Sequence, residues 1–471
     1  MLEGLEVSEV RYKDTSENKD FRIDTDFWTK QPKINPTLKY GKIGDFLISS
    51  QYGISIEMNE EKIGYPIYRM NEIHNMLCDF EVSKYADISK NDFNVFKLED
   101  RDVLFNRTNS YEWVGRTGIY RKTKTEDYIF ASYLVRFVPN QNVILPEYLS
   151  AFLNTKYGIW DIKRRARQSI NQTNVNPEEV KQIDIPLLSI ALQNLIKKNF
   201  DVAVDCLLKS QSLYFQAEQL LLEELGLKDW QPSTENINSK SFKESFLTTG
   251  RLDAEYYQPK YEEIESAIKK YKFGYSELNS FIENYSTGYP YSSESYVQNG
   301  IPLIRINNIN KGILDISNAT HIPKDDLLLS PNDIAKENDI LISMSGTIGN
   351  SCKIPRGITA VINQRIMRIT PKEYNNNVLP LLINSVIGYE QLNRIGTGGV
   401  QTNISGNDIK QILIPILPQN IQDSISSSVE QSFALKHQSE HLLEVAKRAV
   451  EIAIEEDEEK AIEYINQNTK Q

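Results

Sequence analysis

Residues 172–186 have the sequence QTNVNPEEVKQIDIP, and residues 401–415 have the closely related sequence QTNISGNDIKQILIP. Eight of the fifteen positions are identical, and three more exchange valine for isoleucine or glutamate for aspartate. The same offset of 229 residues aligns Arg22-Ile23-Asp24 with Arg251-Leu252-Asp253. Matching motifs at both ends of such a long repeat predict a duplication whose repeating unit is a whole domain.

Inside each half the offset drifts by a few residues and returns to 229 at the end. Insertions accumulate in loops between elements that a shared fold retains, so the drift predicts variable loops between matching strands. Any variable recognition function is therefore expected in these central regions. The matching segments are 65–70 with 301–306, 102–105 with 339–342, and 136–139 with 368–371.

Each half is predicted to close with a short capped helix, an Ile-x-Ile-Pro strand and a long amphipathic helix. Asn176, Pro177 and Glu179 have the order of an N-cap, a first-turn proline and a capping-box acid. Ser405 and Asp408 occupy the corresponding places in the second half. In both long helices apolar residues repeat at seven-residue spacing, which is typical of a coiled coil, although helices packed on globular domains are the alternative. The repeating residues are Leu192, Cys206, Leu213 and Leu220 in the first helix, and Ile421, Leu435, Leu442 and Ala449 in the second.

The composition is that of an ordinary globular chain. Its 471 residues are 40% hydrophobic and 25% charged, and the length suggests about three domains. A net charge of −11 argues against binding nucleic acid by bulk electrostatics alone. The sequence has neither an apolar run long enough to span a membrane nor the pattern of a signal peptide, so we expect a cytoplasmic protein. Three widely separated cysteines, Cys78, Cys206 and Cys352, predict buried thiols.

No motif for a catalytic site occurs in the sequence, because the phosphate-loop, zinc-protease and nucleophile-elbow patterns are all missing. Gly396-Thr397-Gly398-Gly399 is followed by no helix start or lysine suited to a phosphate. His437 and His441 lack a third metal ligand, so solvated histidines are expected. Glu458-Glu459-Lys460 matches the E-x-K of some nucleases but lies in an acidic helical tail. We therefore predict neither catalytic nor metal-binding residues.

Polar loops follow one of the matching strands in each half. They are Arg107-Thr108-Asn109 in the first half and Ser343-Met344-Ser345-Gly346-Thr347 in the second. Arginine and asparagine can pair with guanine or adenine edges, and short polar side chains can bind phosphates. Such loops equally suit sugars or peptides, or bind nothing. The basic run Lys163-Arg164-Arg165-Ala166-Arg167 is most simply a solvated face.

Several motifs, in this order and at this spacing, resemble the specificity subunits of type I restriction-modification systems. They are RLDAEYYQPKY at 251–261, DILIS at 339–343 followed by Gly346-Thr347-Ile348-Gly349, and Gly399 to Asn403 leading into Ile412, Ile414 and Pro415. The resemblance extends from about Phe21 to the last helix. No single motif is specific, but their duplication is.

The resemblance implies an α+β fold with a pseudo-two-fold internal repeat. Two tandem target recognition domains of mixed α/β type, with twisted sheets, would be separated by two long antiparallel coiled-coil helices. The implied boundaries are 1–185 for the first recognition domain, of which 1–20 is an N-terminal extension, 186–226 for the first spacer helix, 227–248 for a linker, 249–416 for the second recognition domain, and 417–471 for the second spacer helix and acidic tail.

The resemblance also implies a non-catalytic subunit that recognises an asymmetric bipartite sequence in double-stranded DNA. It would dock DNA adenine methyltransferase subunits, which carry S-adenosylmethionine, and a restriction subunit that translocates and cuts DNA. The chain itself would hold no cofactor, and the absence of an N-P-P-[YF] motif agrees with this. The alternative is a scaffold or a carbohydrate- or protein-binding module on the same duplicated fold.

We expect DNA contacts from loops in both recognition domains. The expected residues are Arg69, Arg107, Asn109, Arg116, Arg121 and Lys122 in the first domain and Arg305, Ser345, Thr347 and Asn350 in the second. Gln172, Asn174, Gln401 and Asn403 flank the hinge into each helix and are expected to cap turns and satisfy backbone groups. Because the loops of the two halves differ, we expect an asymmetric target; the alternative is that the first domain has lost sequence recognition.

Overall fold

The chain divides into two compact units that share both long helices. A computed structural model describes residues 9–17, 21–30, 35–170, 172–235, 237–317, 319–396 and 403–469. Unit 1 comprises Met1–Leu207 with Lys436–Gln471, and unit 2 comprises Leu208–Leu435. The domain boundaries given above are not the same kind of division and stay a prediction.

A mostly antiparallel sheet forms the centre of unit 1. Its strands, in order across the sheet, are Leu47–Tyr52, Leu134–Pro139, Val103–Asn106, Thr117–Ile119, Leu77–Cys78 and Ile73–His74. All four residues of the strand Val103–Asn106 are buried. Burial on both faces accounts for the continuous apolar run in the sequence at this point.

The central sheet of unit 2 repeats four of these strands in the same order. They are Ile282–Ser286, Ile366–Pro371, Ile340–Ser343 and Ser351–Lys353. The register is repeated as well, because Asn106 pairs with Leu134 in unit 1 and Ser343 pairs with Ile366 in unit 2. The duplication and the α+β fold are therefore confirmed at the level of strand pairing.

A smaller sheet in each unit contains a pair of parallel strands. The pair is Tyr65–Tyr68 with Ile129–Phe130 in unit 1 and Ile301–Ile304 with Ala360–Ile362 in unit 2. An antiparallel strand borders each pair, Tyr85–Ala86 in unit 1 and Thr320–Ile322 in unit 2. Arg69 and Arg305 directly follow the equivalent strands Tyr65–Tyr68 and Ile301–Ile304, so this sheet places two of the candidate residues at matching points.

Short ladders and helices complete both units. The other strands are Tyr40–Lys42 with Asp184–Pro186, Thr108–Asn109 with Thr173–Asn174, Arg167–Gln168 beside the latter, Tyr275–Glu277 with Leu413–Pro415, Ile309–Asn310 with Ile313–Leu314, and Ile334–Ala335. The shorter helices are Tyr12–Glu17, Thr25–Thr29, Lys90–Phe96, Pro146–Asn154, Lys156–Arg165, Pro177–Val180, Phe246–Thr249, Pro259–Lys269, Val378–Asn384, Val386–Gly396, Gly406–Lys410 and Glu458–Asn468. The predicted Ile-x-Ile-Pro strands are confirmed by the ladders at 184–186 and 413–415.

The two predicted caps form in different ways. Ser405 and Asp408 make a reciprocal capping box at the start of Gly406–Lys410. Asn176 accepts a hydrogen bond from the Glu178 N–H at 3.1 Å. The Glu179 carboxylate pairs with a buried arginine, because its side chain is only 3% exposed and a charge at that depth requires a partner.

The two long helices are Ile190–Glu224 and Gln419–Glu455. Residues at seven-residue spacing are buried, namely Ile196, Ala203, Ser210 and Ala217 in the first and Ile425, Ser432, Ser439, Ala446 and Ala453 in the second. Within unit 2 the hydroxyls of Ser210 and Ser432 are 3.1 Å apart, and Tyr214 lies beside Val429. Contacts that advance in opposite directions show that the helices are antiparallel in this unit. The heptad seam consists largely of small residues, which permit a short distance between helix axes. None of the helices in the described ranges combines the length and apolar content that a membrane span needs.

A buried glutamine attaches each long helix to its unit. Gln193 Oε1 accepts the Leu145 N–H at 2.8 Å, and its Nε2 donates to the Leu188 carbonyl at 3.0 Å. Gln422, which is 229 residues further on, makes the corresponding pair of bonds in unit 2 at 2.9 Å each. The orientation of each helix start relative to its sheet is thus fixed by the same contact twice.

Candidate nucleic-acid interface

The two candidate loops leave the central sheets at equivalent points. The Arg107 N–H donates to the Tyr133 carbonyl at 3.0 Å, and the Arg107 carbonyl accepts the Val175 N–H at 2.9 Å. In unit 2 the same two backbone bonds are made by Met344, at 2.9 and 3.0 Å. Arg107 and Met344 therefore occupy the same place in the repeated fold.

The duplicated Gln-Thr-Asn motif contacts these loops. Asn174 pairs with Thr108 in an antiparallel ladder, and the Thr108 hydroxyl donates to Asn174 Oδ1 at 2.6 Å. In unit 2 Asn403 forms an antiparallel bridge with Ser345, which is 5% exposed. In both units the third residue of the motif thus lies against the loop that follows the central strand.

The other motif residues have local roles where they are described. The Gln172 carbonyl accepts the Ser169 N–H and hydroxyl at 2.8 and 2.7 Å, which closes a turn. Asn109 Oδ1 accepts the N–H of its neighbour Ser110 at 2.8 Å. Gln401 lies outside the described residues.

Three of the predicted DNA-contacting residues in unit 1 are held by carboxylates. The ion pairs are Arg69 with Glu72 at 2.5 Å, Arg121 with Asp100 at 3.3 Å and with Asp201 at 2.9 Å, and Lys122 with Asp127 at 2.6 Å. A DNA group that approached one of these cations would compete with the carboxylate already present. These side chains are therefore less available for a bidentate contact than their sequence positions indicate.

Other cations around the first loop lie over aromatic rings. The pairs are Arg107 over Tyr52 at 5.1 Å, Arg116 over Trp113 at 3.4 Å, and Lys163 over Tyr111 at 4.9 Å from the ring centroid. Tyr52 and Tyr111 are 47% and 46% exposed. The ring face attracts a cation without neutralising its charge. We call these six residues the cation–π rim.

Lys163 is the most buried cation of the cation–π rim. Its ammonium donates to the carbonyls of Glu112 and Val114 at 3.1 and 3.0 Å. Burial lowers the pKa of Lys163 to about 8, because the charged form loses hydration. This lysine therefore fixes the segment that follows the first loop.

The candidate residues of unit 2 surround the second loop. Thr347 is exposed, and its carbonyl accepts the Ser343 hydroxyl. Asn350 Nδ2 donates to the Ile309 carbonyl at 3.3 Å, which joins the loop to a neighbouring hairpin. Arg305 is half-buried, and its Nε is enclosed without a hydrogen-bond partner among the described residues.

The basic run at 163–167 is not a solvated face, which corrects the expectation from sequence. The side chains of Arg164 and Arg165 are only 8% and 6% exposed, and both pair with Asp161 at 2.7 and 3.0 Å. Arg165 also pairs with Glu179 at 2.9 Å. These arginines therefore stabilise the interior of unit 1.

A repeated contact of one aromatic ring with two arginines was missed by sequence reasoning. Arg22 lies 4.8 Å and Arg164 lies 4.3 Å from the ring centroid of Phe27. The aligned Arg-x-Asp motifs contain the first arginine, and the second could have been found from its own near-repeat 230 residues later. The corresponding distances in unit 2 are 4.6 Å for Arg251 and 4.4 Å for Arg394, both over Tyr256.

Possible metal ligands are dispersed. Within the described ranges no three His, Cys, Asp or Glu side chains are grouped to hold a metal ion. His437 is 73% exposed and lies 3.4 Å from Glu440. All three cysteines are buried and free, as predicted. Glu458 accepts the Ser189 N–H at 2.9 and 3.1 Å, so it caps the first long helix.

Comparison with known proteins identifies the family. Residues 271–445 match the family model for the type I restriction modification DNA specificity domain. The chain is 25% identical over 424 residues to the provisionally named MjaX type I restriction enzyme specificity subunit of Methanocaldococcus jannaschii, an alignment that covers 87% of this chain and 90% of that protein. It is 28% identical over 169 residues to the EcoAI type I restriction enzyme specificity subunit of Escherichia coli, covering 34% of this chain and 28% of that protein. A solved type I restriction-modification S subunit from M. genitalium aligns with 92% of this chain and 98% of its own at 12% identity and a TM-score of 0.38.

The family match covers the second half, and the Methanocaldococcus alignment extends through most of the first. The fold and its loops define a duplicated recognition protein. The chain belongs to the family of type I restriction-modification specificity subunits.

Proposed function

We propose that this chain is the non-catalytic DNA-recognition subunit of its complex, and that each unit recognises one half of an asymmetric bipartite target in double-stranded DNA. The observation that carries the proposal is the equivalence of Arg107 and Met344 on identical backbone frames. A repeated frame with different side chains suits two recognition surfaces that select different bases.

The long helices suit a role in setting the distance between the two half-sites. Their antiparallel seam in unit 2 is continuous with the buried heptad positions elsewhere in both helices. Paired helices with small seam residues are stiff compared with a flexible linker. We further propose the boundaries 1–185 and 249–416 for the two recognition domains.

The proposed partners are DNA adenine methyltransferase subunits and a restriction subunit that translocates and cuts DNA. Methyl transfer would take place on the methyltransferase, which would bind S-adenosylmethionine. The net charge of −11 supports such an assembly, because partner subunits would contribute phosphate contacts that this acidic chain does not supply in bulk.

The test is to purify the chain with methyltransferase subunits and to map methylated adenines in duplex DNA of random sequence. We expect a split target with two different halves and an affinity that falls steeply as salt rises. Methylation without sequence preference, or a chain that binds no methyltransferase, would contradict the proposal. Binding to a sugar or a protein that ignores salt would favour the scaffold alternative.

A further inference from the structure

One arginine position differs between the units in its charge environment. Arg69 and Arg305 are equivalent, since each follows the matching parallel strand. In unit 1 the Glu72 carboxylate accepts the Arg69 N–H at 2.8 Å and its Nε at 3.1 Å. In unit 2 Asn308 takes the place of Glu72 and accepts the Arg305 N–H at 2.9 Å. The backbone contact is conserved between the copies, but Asn308 brings no charge to neutralise Arg305.

The loop position differs in the opposite sense. Arg107 has no carboxylate within ion-pair distance among the described residues, and its Nη1 makes only a 3.4 Å bond to the Ser132 carbonyl. Its counterpart Met344 is uncharged. Unit 1 therefore has an arginine without a counter-ion at the loop position, and unit 2 has one at the strand-end position.

Both positions belong to one face of the repeated fold. In unit 2 the methyl group of Ile306, next to Arg305, lies 3.7 Å from the point where a Cβ on Gly346 would stand. In unit 1 the Tyr68 carbonyl, next to Arg69, accepts the N–H of Ala131 at 2.9 Å. Ala131 directly precedes Ser132, whose carbonyl accepts Arg107, so the two arginine positions are neighbours across the strand ends.

The buried Nε atoms indicate that both guanidinium groups are held for a ligand. Nε of Arg107 and of Arg305 is enclosed without a hydrogen-bond partner among the described residues. A guanidinium group has five donors in a planar fork, and leaving them unpaired costs free energy. Guanine presents two acceptors, O6 and N7, that match this fork in the major groove. The ion-paired Arg69 would first have to give up Glu72.

We propose that Arg107 recognises a guanine in the half-site of unit 1 and that Arg305 recognises a guanine in the half-site of unit 2. Glu72 and Met344 remove the equivalent contact from the other copy. This inference rests on the proposed function and assigns the base-recognising residue of each half-site. It accounts for an asymmetric target by the exchange of two side chains on one frame.

The experiment uses the complex of this chain with its methyltransferase and a duplex library randomised in both half-sites. Arg107→Gln should reduce the preference for guanine at one position of one half-site on the order of 5- to 150-fold. Arg305→Gln should do the same in the other half-site. The unaltered half-site in each variant reports that the protein is folded.

Matched variants use the chain's own alternatives. Asn308→Glu introduces the carboxylate that unit 1 has at this position, so it should abolish the same preference as Arg305→Gln with little effect on folding. Arg69→Gln should leave both half-sites unchanged. Arg107→Lys keeps the charge but loses the fork, so the salt dependence should persist while the guanine preference falls.

The outcomes separate this inference from the proposed function. A split target in the unsubstituted complex that is unchanged by Arg107→Gln and Arg305→Gln would overturn the inference and leave the proposed function intact. Equal weakening on every sequence would identify phosphate contacts and also overturn it. An unsubstituted complex without sequence preference would overturn both.

Discussion

Replacing Asn174 by alanine should loosen the first recognition loop without unfolding unit 1. The substitution removes the acceptor that the Thr108 hydroxyl uses at 2.6 Å. Backbone pairing of the two residues in the ladder is retained, because alanine keeps its N–H and carbonyl. The effect should therefore be confined to the side-chain contact that joins the motif to the loop.

The magnitude follows from the burial of the two partners. Thr108 is 4% exposed, so its hydroxyl would be left buried without Asn174. A buried hydroxyl that loses its partner costs about 1–3 kcal/mol, so Asn174→Ala should lower the free energy of unfolding of unit 1 by that amount. Thr108→Val should cost about 0.5–1.5 kcal/mol, because the half-buried Asn174 amide can bind water.

The chain offers a selective optical probe for this measurement. Three of its four tryptophans, Trp28, Trp113 and Trp160, lie in unit 1, and Trp230 lies in unit 2. In a Trp230→Phe background, fluorescence during denaturant unfolding reports unit 1 alone. The two single variants and the double variant then form a mutant cycle.

A coupling energy of at least about 0.5 kcal/mol is expected between the two substitutions. If the losses of the single variants add to within about 0.3 kcal/mol, the hydrogen bond does not stabilise the loop and the reasoning fails. Target mapping gives a second readout, in which Asn174→Ala should weaken base preference only in the half-site recognised by unit 1. Weakening in both half-sites would show a general loss of stability.

Three further predictions concern helix capping, backbone packing and pH. Glu458→Ala should destabilise unit 1 by about 0.5–2 kcal/mol in the tryptophan assay, because it removes the cap on Ser189, whereas Glu459→Ala, on the exposed face, should not. Gly388→Ala should destabilise unit 2 by about 3 kcal/mol in unfolding followed through Trp230, because a Cβ would lie 2.3 Å from the Ile383 carbonyl oxygen; Gly226→Ala, with nothing within 4 Å, should cost about 1 kcal/mol for its left-handed backbone. Since the pKa of Lys163 is lowered from 10.5 to about 8, the unfolded chain binds more protons between these values, so the stability of unit 1 should rise across that pH window; Lys163→Met should remove the rise, and an unchanged slope would refute the assignment.

Much of the fold could be predicted from local patterns. The strand segments 102–105 and 339–342 were visible because a strand buried on both faces is an uninterrupted apolar run. The long helices followed from heptad spacing and the absence of proline and glycine, although their seam proved to contain Ser210 and Ser432 at its buried positions. The offset of 237 between those strands also contained the equivalence of Arg107 and Met344.

The candidate site was harder to predict, because the sequence does not show which charges meet. Arg121 and Asp201 are 80 residues apart and pair at 2.9 Å. Arg164 and Arg165 belong to a basic run that any composition argument places at the surface, yet Asp161 holds both in the interior. A contact between distant residues depends on tertiary packing, which no local period encodes.

The sequence by itself determined that this protein is one frame used twice, since spacing, apolar period and capping residues are local properties that repeat with the chain. Only the tertiary structure decided which arginines of the two copies keep an unneutralised charge. Glu72 and Asn308 both accept the same backbone N–H, but only the carboxylate neutralises the guanidinium beside it. Electrostatic neutralisation depends on distances of a few ångströms in space, and the fold alone sets those distances.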